Sequence, residues 1–439
     1  MRYCLILLIV CCFSSNAQAL GFSQRATLDN GLEIIVIPNT KVPAVTHTLW
    51  YKAGSIDEPQ GQSGIAHFLE HLMFKGTPNV PKGEFSSRIA KLGGSDNAFT
   101  SHDYTGYYQN IPKEHLATVM ELESDRMQHI AFTQEDVLRE RNVILEERRM
   151  RIENNPQGLF TEQLKASLFL HHPYHNPLIG WMHEMETLSL KNASDWFHRY
   201  YAPNNAVLIV SGDITMDELL PLAKQYYGPI QSRIIPPRIH TTEPPARAER
   251  IVMMHDPKIV HDELYRYYQA PTQTYGDTQH AYALTVLSYL LAGSQTSTLY
   301  QQLVVDQQYA ASVSSNYDDI GIGPSIFAFR AIVQGHNSIN DIEAVLDDTI
   351  EHVKSTPFSQ TDIERATNAL AAEAIYAREN LKGLAFIYGQ TILSGLDQSY
   401  VENWEHNITS VTAEDIMAAA NHVFVPQSSV TGYLMKEEE

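Results

Sequence analysis

His67, Glu70 and His71 have the types and the spacing for metal-assisted hydrolysis. On a helix, positions i, i+3 and i+4 share one face. Two imidazoles one turn apart can reach a single ion at about 2.0–2.1 Å. A carboxylate beside them is close enough to take a proton from a water activated by that ion. The spacing is H-x-x-E-H. Ile65, Ala66, Phe68, Leu69, Leu72 and Met73 fill the opposite face, and Gly76 and Pro78 follow. This predicts a helix over about 65–75, fixed in a core by that apolar face. A catalytic zinc takes three protein ligands and keeps a fourth position open. The best source of the third is an acidic helix over 134–152, opened by the capping-box pair Thr133 and Asp136. Glu140 and Glu147 are seven residues apart and share its face across two turns. Alone, that pattern equally fits a charged surface helix. Beside His67 and His71 it can offer one ligand and one supporting carboxylate.

Cysteine is not available for this chemistry. Cys4, Cys11 and Cys12 are the only cysteines, and all three lie in a segment that reads as a secretory leader. Arg2 supplies its positive start, residues 4–13 its apolar run and Ala17-Gln18-Ala19 its cleavage signal. The run is too short to span a bilayer comfortably. The mature chain is therefore expected to begin near Leu20, to be exported (periplasmic if the source is Gram-negative) and to carry no transmembrane segment. Without cysteine it needs no disulfides, and any metal must be held by His, Asp or Glu. The formal net charge is -20, from 31 basic and 51 acidic residues. That charge argues against nucleic acid and against an anionic membrane surface as partners.

The elements that would position these residues fall into two similar sets. A chain of 439 residues suggests two domains. Strands are expected over 32–38 and 45–52, a hairpin over 97–110, helices over 84–92 and 113–130, and a buried strand over 206–211. Pro236, Pro237, Pro244 and Pro245 mark 234–247 as an exposed, stiff linker. Beyond it the strand–strand–helix order returns, with strands over 251–254, 263–269, 310–317 and 327–334 and helices over 278–291, 339–353 and 360–388. The expected fold is α+β, with two similar domains, each a mainly antiparallel sheet packed with helices. The domains would span 20–233 and 248–439, after a leader over 1–19. His171, His172 and His175 are read as a solvated loop, because Pro173 breaks any helix that could align them.

These residues resemble the pitrilysin/insulysin metallopeptidases, and most closely their mitochondrial-processing-peptidase-like branch. That family places a glutamate about 76 residues after H-x-x-E-H and a second one seven residues earlier, as Glu147 and Glu140 stand here. Gly93-Gly94-Ser95-Asp96-Asn97-Ala98-Phe99-Thr100 resembles its substrate-binding strand, and His172-Pro173-Tyr174 through Gly180 and Tyr201-Ala202-Pro203-Asn204-Asn205 also match. The resemblance implies one zinc per chain on His67, His71 and Glu147, with Glu70 as general base and Glu140 steering a ligand or supporting proton transfer. It implies a peptide substrate paired along Asn97, Ala98 and Phe99, and a zinc endopeptidase acting on unfolded peptides or protein segments. The alternative is a non-catalytic peptide-binding or assembly subunit of the same fold. The second half has no H-x-x-E-H. It also departs from the family's arginine and tyrosine, seven residues apart, by carrying Val304 and Ala311, with Tyr309 two positions away. That departure implies a heterodimer with a homologous, zinc-less subunit, with a homodimer as the alternative.

Overall fold

The apolar runs at 34–37 and 207–210 send alternate side chains into two different cores. Ile34, Val36, Leu208 and Val210 enter one, and Ile35, Ile37, Val207 and Ile209 the other. A strand buried on both faces needs an apolar residue at every position. The computed structural model describes residues 23–437, so the leader expected over 1–19 lies outside the described residues.

The first sheet holds β1 (Gln24–Thr27), β2 (Glu33–Pro38), β3 (Ala44–Tyr51), β4 (Ser95–Thr100), β5 (Thr105–Pro112) and β6 (Ala206–Gly212), in the order β1-β2-β6-β3-β5-β4. The second holds β7 (Arg250–Asp256), β8 (Glu263–Ala270), β9 (Ala310–Asn316), β10 (Ser325–Val333) and β11 (Ser429–Lys436), in the order β7-β11-β8-β10-β9. Each sheet has one parallel pair, β2 with β6 and β7 with β11, and is otherwise antiparallel. Setting β2, β6, β3, β5 and β4 against β7, β11, β8, β10 and β9 reproduces one order, so the α+β unit is duplicated.

The longer helices of the first half are α1 (Ile65–Leu72), α2 (Glu84–Lys91), α3 (Leu116–His129), α4 (Gln134–Arg148), α5 (Pro156–Leu168), α6 (Leu190–Tyr200) and α7 (Met216–Tyr226). Those of the second are α8 (Ala281–Ala292), α9 (Ile339–Ser355), α10 (Gln360–Glu379), α11 (Leu381–Leu393), α12 (Ser399–Thr409) and α13 (Ala413–Val423). One helix from each half packs on the other half's sheet. Phe160, Leu164 and Leu168 of α5 pack with Tyr265, Tyr267, Val430 and Leu434. Leu384, Ala385 and Tyr388 of α11 pack with Ile35, Trp50, Val207 and Ile209. A glycine admits the close approach at each contact. A Cβ on Gly432 would lie 2.7 Å from Leu164 Cδ2, and one on Gly389 would drive into the Trp50 indole.

Three local expectations change. The helix expected over 360–388 is two, because Asn380 is extended and its side chain accepts from the Lys382 and Gly383 amides at 3.0 and 3.2 Å, starting α11 afresh. The helix expected to reach 152 ends at Arg148 and passes into a π-turn over Arg149–Glu153. Residues 231–247 have no regular structure, yet they are tied to the surface. Arg238 pairs with Asp57 at 2.6 Å and donates to the Asp103 carbonyl at 2.7 Å, and Glu243 accepts from the His172 amide at 2.7 Å.

Candidate metal centre

Helix α1 starts at Gly64, whose φ of 84° is open to glycine without strain. Gly180 lies against it, and a Cβ on Gly180 would come within 2.8 Å of the Gly64 Cα. The Glu58 carboxylate accepts from the Gly64 and Ala66 amides at 2.9 and 3.0 Å, satisfying otherwise unpaired donors of the first turn. Ile65, Ala66, Phe68, Leu69 and Leu72 are buried, which turns His67, Glu70 and His71 away from the core. On α4 the Thr133–Asp136 capping box forms as expected, and the helix lies beside α1 with Glu140 and Glu147 facing it.

His67, His71 and Glu147 each offer a donor atom within 4.8 Å of the others, the one such group among the described residues. Glu147 Oε2 is 3.4 Å from His71 Nε2 and 3.9 Å from His67 Nε2. Donors about 2.0–2.2 Å from one tetrahedral ion stand about 3.3–3.6 Å apart, so the set fits zinc after a small adjustment. The tautomers agree. His71 Nδ1 donates to Glu140 at 3.1 Å, leaving the Nε2 lone pair towards Glu147. Burial, helped by the neighbouring His71 and Arg151, drives the His67 pKa down to about 3, so its imidazole is neutral as a ligand must be. His67 Nδ1 is buried with no hydrogen-bond partner among the described residues. Burial pushes the Glu140 carboxyl up, but its bonds to His71 and Lys75 outweigh that and hold it below the ordinary carboxylate range. Arg151 holds the other oxygen of Glu147 at 2.9 Å.

Glu70 is not in the donor set. Its Oε2 accepts from the Thr100 hydroxyl at 2.5 Å, and burial raises its pKa above the ordinary 4.5. Thr100 ends β4, the outermost strand of its sheet, so one edge of β4 is unpaired among the described residues. Asn97, Ala98 and Phe99 line a cavity of about 1120 Å³ together with His67, Glu70 and His71. The Phe99 ring turns away into aromatic packing, with centroids 4.7 Å from Trp50 and 4.6 Å from Phe386, so β4 can present the Phe99 backbone but not its ring.

Thr100, Lys75 and Arg151 were not singled out from the sequence. Lys75 follows His71 by four residues and Arg151 follows Glu147 by four, so helical spacing carried that signal. The His171–His175 loop is less solvated than expected: His172 is buried, and its Nδ1 accepts from the Tyr174 amide at 3.3 Å. In the second half, Tyr309 precedes β9 and packs against the second core. Ala311 is exposed on β9, the edge strand equivalent to β4.

Residues 34–181 match the family Insulinase (Peptidase family M16), and residues 187–370 match the Peptidase M16 inactive domain. The chain belongs to peptidase family M16. It is 28% identical over 434 residues to the zinc protease PqqE of Helicobacter pylori, covering 98% of this chain and 96% of that protein. The crystal structure of a protease from Helicobacter pylori superimposes with a TM-score of 0.89 at 27% identity, over 95% of this chain and 100% of that one. An M16-like peptidase structure from Alicyclobacillus acidocaldarius shares the fold, with a TM-score of 0.85 at 21% identity over 94% of this chain and 98% of that one.

Proposed function

We propose that this M16 chain is an exported zinc endopeptidase that cleaves unfolded peptides or protein segments. The observation that carries the reading is the His67, His71 and Glu147 donor set, with Glu70 held beside it by Thr100 at the end of an open strand edge. His67, His71 and Glu147 would hold one zinc, which supplies Lewis acidity for water and for a peptide carbonyl. Glu140 keeps His71 in its ligating tautomer and orientation. Thr100 fixes the Glu70 carboxylate, and burial brings its basicity closer to that of a general base working near neutral pH. After taking a proton from water, Glu70 is placed to pass it to the leaving amine. The edge of β4 along Asn97–Phe99 would take an extended peptide by main-chain pairing, which folded substrates have no free strand to supply.

In this reading residues 20–233 carry catalysis, 248–439 form the non-catalytic half, and 1–19 direct export. Val304 and Ala311 leave the second half without the family's arginine and tyrosine. A homologous, zinc-less subunit would supply them, making the active unit a heterodimer rather than a homodimer. The test is hydrolysis of unfolded peptides by the purified chain, alone and co-expressed with homologous zinc-less chains, before and after chelation. Activity should vanish on chelation, return with zinc and rise in the right mixture. Hydrolysis that survives complete zinc removal overturns the zinc-peptidase reading. A chain as fast alone as in any mixture overturns the heterodimer.

A further inference from the structure

Helix α5, which crosses from the first half onto the second sheet, carries Lys165 on its exposed side. Lys165 is the one residue that lines three adjoining cavities, of about 1120, 560 and 270 Å³. The first contains the metal donors and β4, the second is walled by β8, β9 and β10, and the third by His102, Asp103 and Tyr174. The other lysines and arginines lining these spaces are occupied: Arg151 pairs with Glu147 at 2.9 Å and Arg330 with Glu263 at 2.7 Å. The carboxylate of the first cavity nearest in sequence, Glu162, is taken by Arg148 at 2.9 Å. Among the described residues Lys165 Nζ has no hydrogen bond and no ion pair. Asp318, which shares the second and third cavities, accepts from the Ile320 amide at 3.0 Å.

An accessible ammonium that lines the cavity of the metal donors, with no partner among the described residues, is free to receive a negative charge from a ligand. We propose that Lys165 is a specificity-determining residue that receives a carboxylate of the substrate, so that peptides with Asp or Glu near the scissile bond are preferred. The position along the peptide follows from β4. Lys165 and His102 line the same two cavities. His102 is two residues beyond Thr100, where Glu70 is held. A peptide paired on the β4 edge advances about 3.3 Å per residue, so its acidic side chain falls about two or three residues from the bond above Glu70. The inference rests on the peptidase reading for the orientation of the peptide, but the recognition itself is a binding property.

The experiment therefore reads both cleavage and binding. Unfolded peptides that differ only by Glu, Gln or Lys, walked through the positions around the cleavage site, are assayed for kcat/KM with the zinc-loaded wild-type chain, Lys165→Arg, Lys165→Met and Lys165→Glu, each with the homologous subunit present. The same peptides are titrated against the full-length Glu70→Gln chain, with and without Lys165→Met. Wild type and Lys165→Arg should favour Glu over Gln about tenfold or more at one position, the scale of a charge-assisted bond. Lys165→Met should lose the preference, its Glu-to-Gln ratio falling to about one. Lys165→Glu should favour a Lys peptide at that position, a gain that a misfolded variant could not show. An equal Glu-to-Gln ratio in wild type and Lys165→Met, in cleavage and in binding, overturns the proposal. If nothing is cleaved but binding to Glu70→Gln still favours Glu through Lys165, the peptidase reading fails and this inference stands.

Discussion

Glu140 grips two side chains of α1 at once, His71 at 3.1 Å and Lys75 in a close ion pair. The carboxylate thereby stays ionised and the His71 ring is held with Nε2 towards Glu147. Glu140→Gln should weaken zinc binding about 10–100-fold, the usual cost of losing such support behind a ligand. Lys75→Met should act in the same direction but less strongly, because it leaves the bond to His71 intact. Zinc competition titrations against a chromophoric chelator would check both, and unchanged affinity in Glu140→Gln would remove its orienting role. At this scale the pairs His67–His71 and Glu140–Glu147 were readable from helical spacing, and their joining across two helices from the family resemblance. Thr100 was not, because its contact with Glu70 joins a strand to a helix 30 positions away and nothing local encodes it.

Individual elements were legible where their ends carry chemistry. The Thr133 cap predicts the start of α4, and the two-sided apolar runs predict β2 and β6. The break at Asn380 was not legible. The stretch over 360–388 is rich in helix formers, and an isolated Asn does not announce a cap until α11 has a sheet to turn towards. That sheet contact makes a prediction. Gly389 has no side chain because the Trp50 indole occupies the space, and Gly432 is hemmed in by Phe160 and Leu164 in the equivalent contact. Gly389→Val and Gly432→Val should each destabilise the chain by about 1–3 kcal/mol, the usual cost of overpacking a core. Thermal unfolding followed by tryptophan fluorescence would read this, and a wild-type Tm for either variant would show that the contact is looser than described.

For the whole molecule, composition and repeated element order implied two similar α+β units, and the two sheets share one topology. The reciprocal seating of α5 and α11 was hidden, since periodicity tells which face of a helix is apolar but not which sheet covers it. The exchange matters for the site. It places α5, with Lys165, between a second cavity walled by β8, β9 and β10 and the enclosure around the donors on α1 and α4, which first-half residues line. The central claim is that this enclosure holds a hydrolytic zinc whose base is Glu70. The most direct measurement is zinc content and peptide hydrolysis on the same preparations of wild type and Glu70→Gln, assayed with the homologous subunit present. Both proteins should hold one zinc per chain, and Glu70→Gln should hydrolyse unfolded peptides about 100-fold or more slowly, the scale of a lost general base. Near wild-type hydrolysis by Glu70→Gln at equal zinc content would contradict the account.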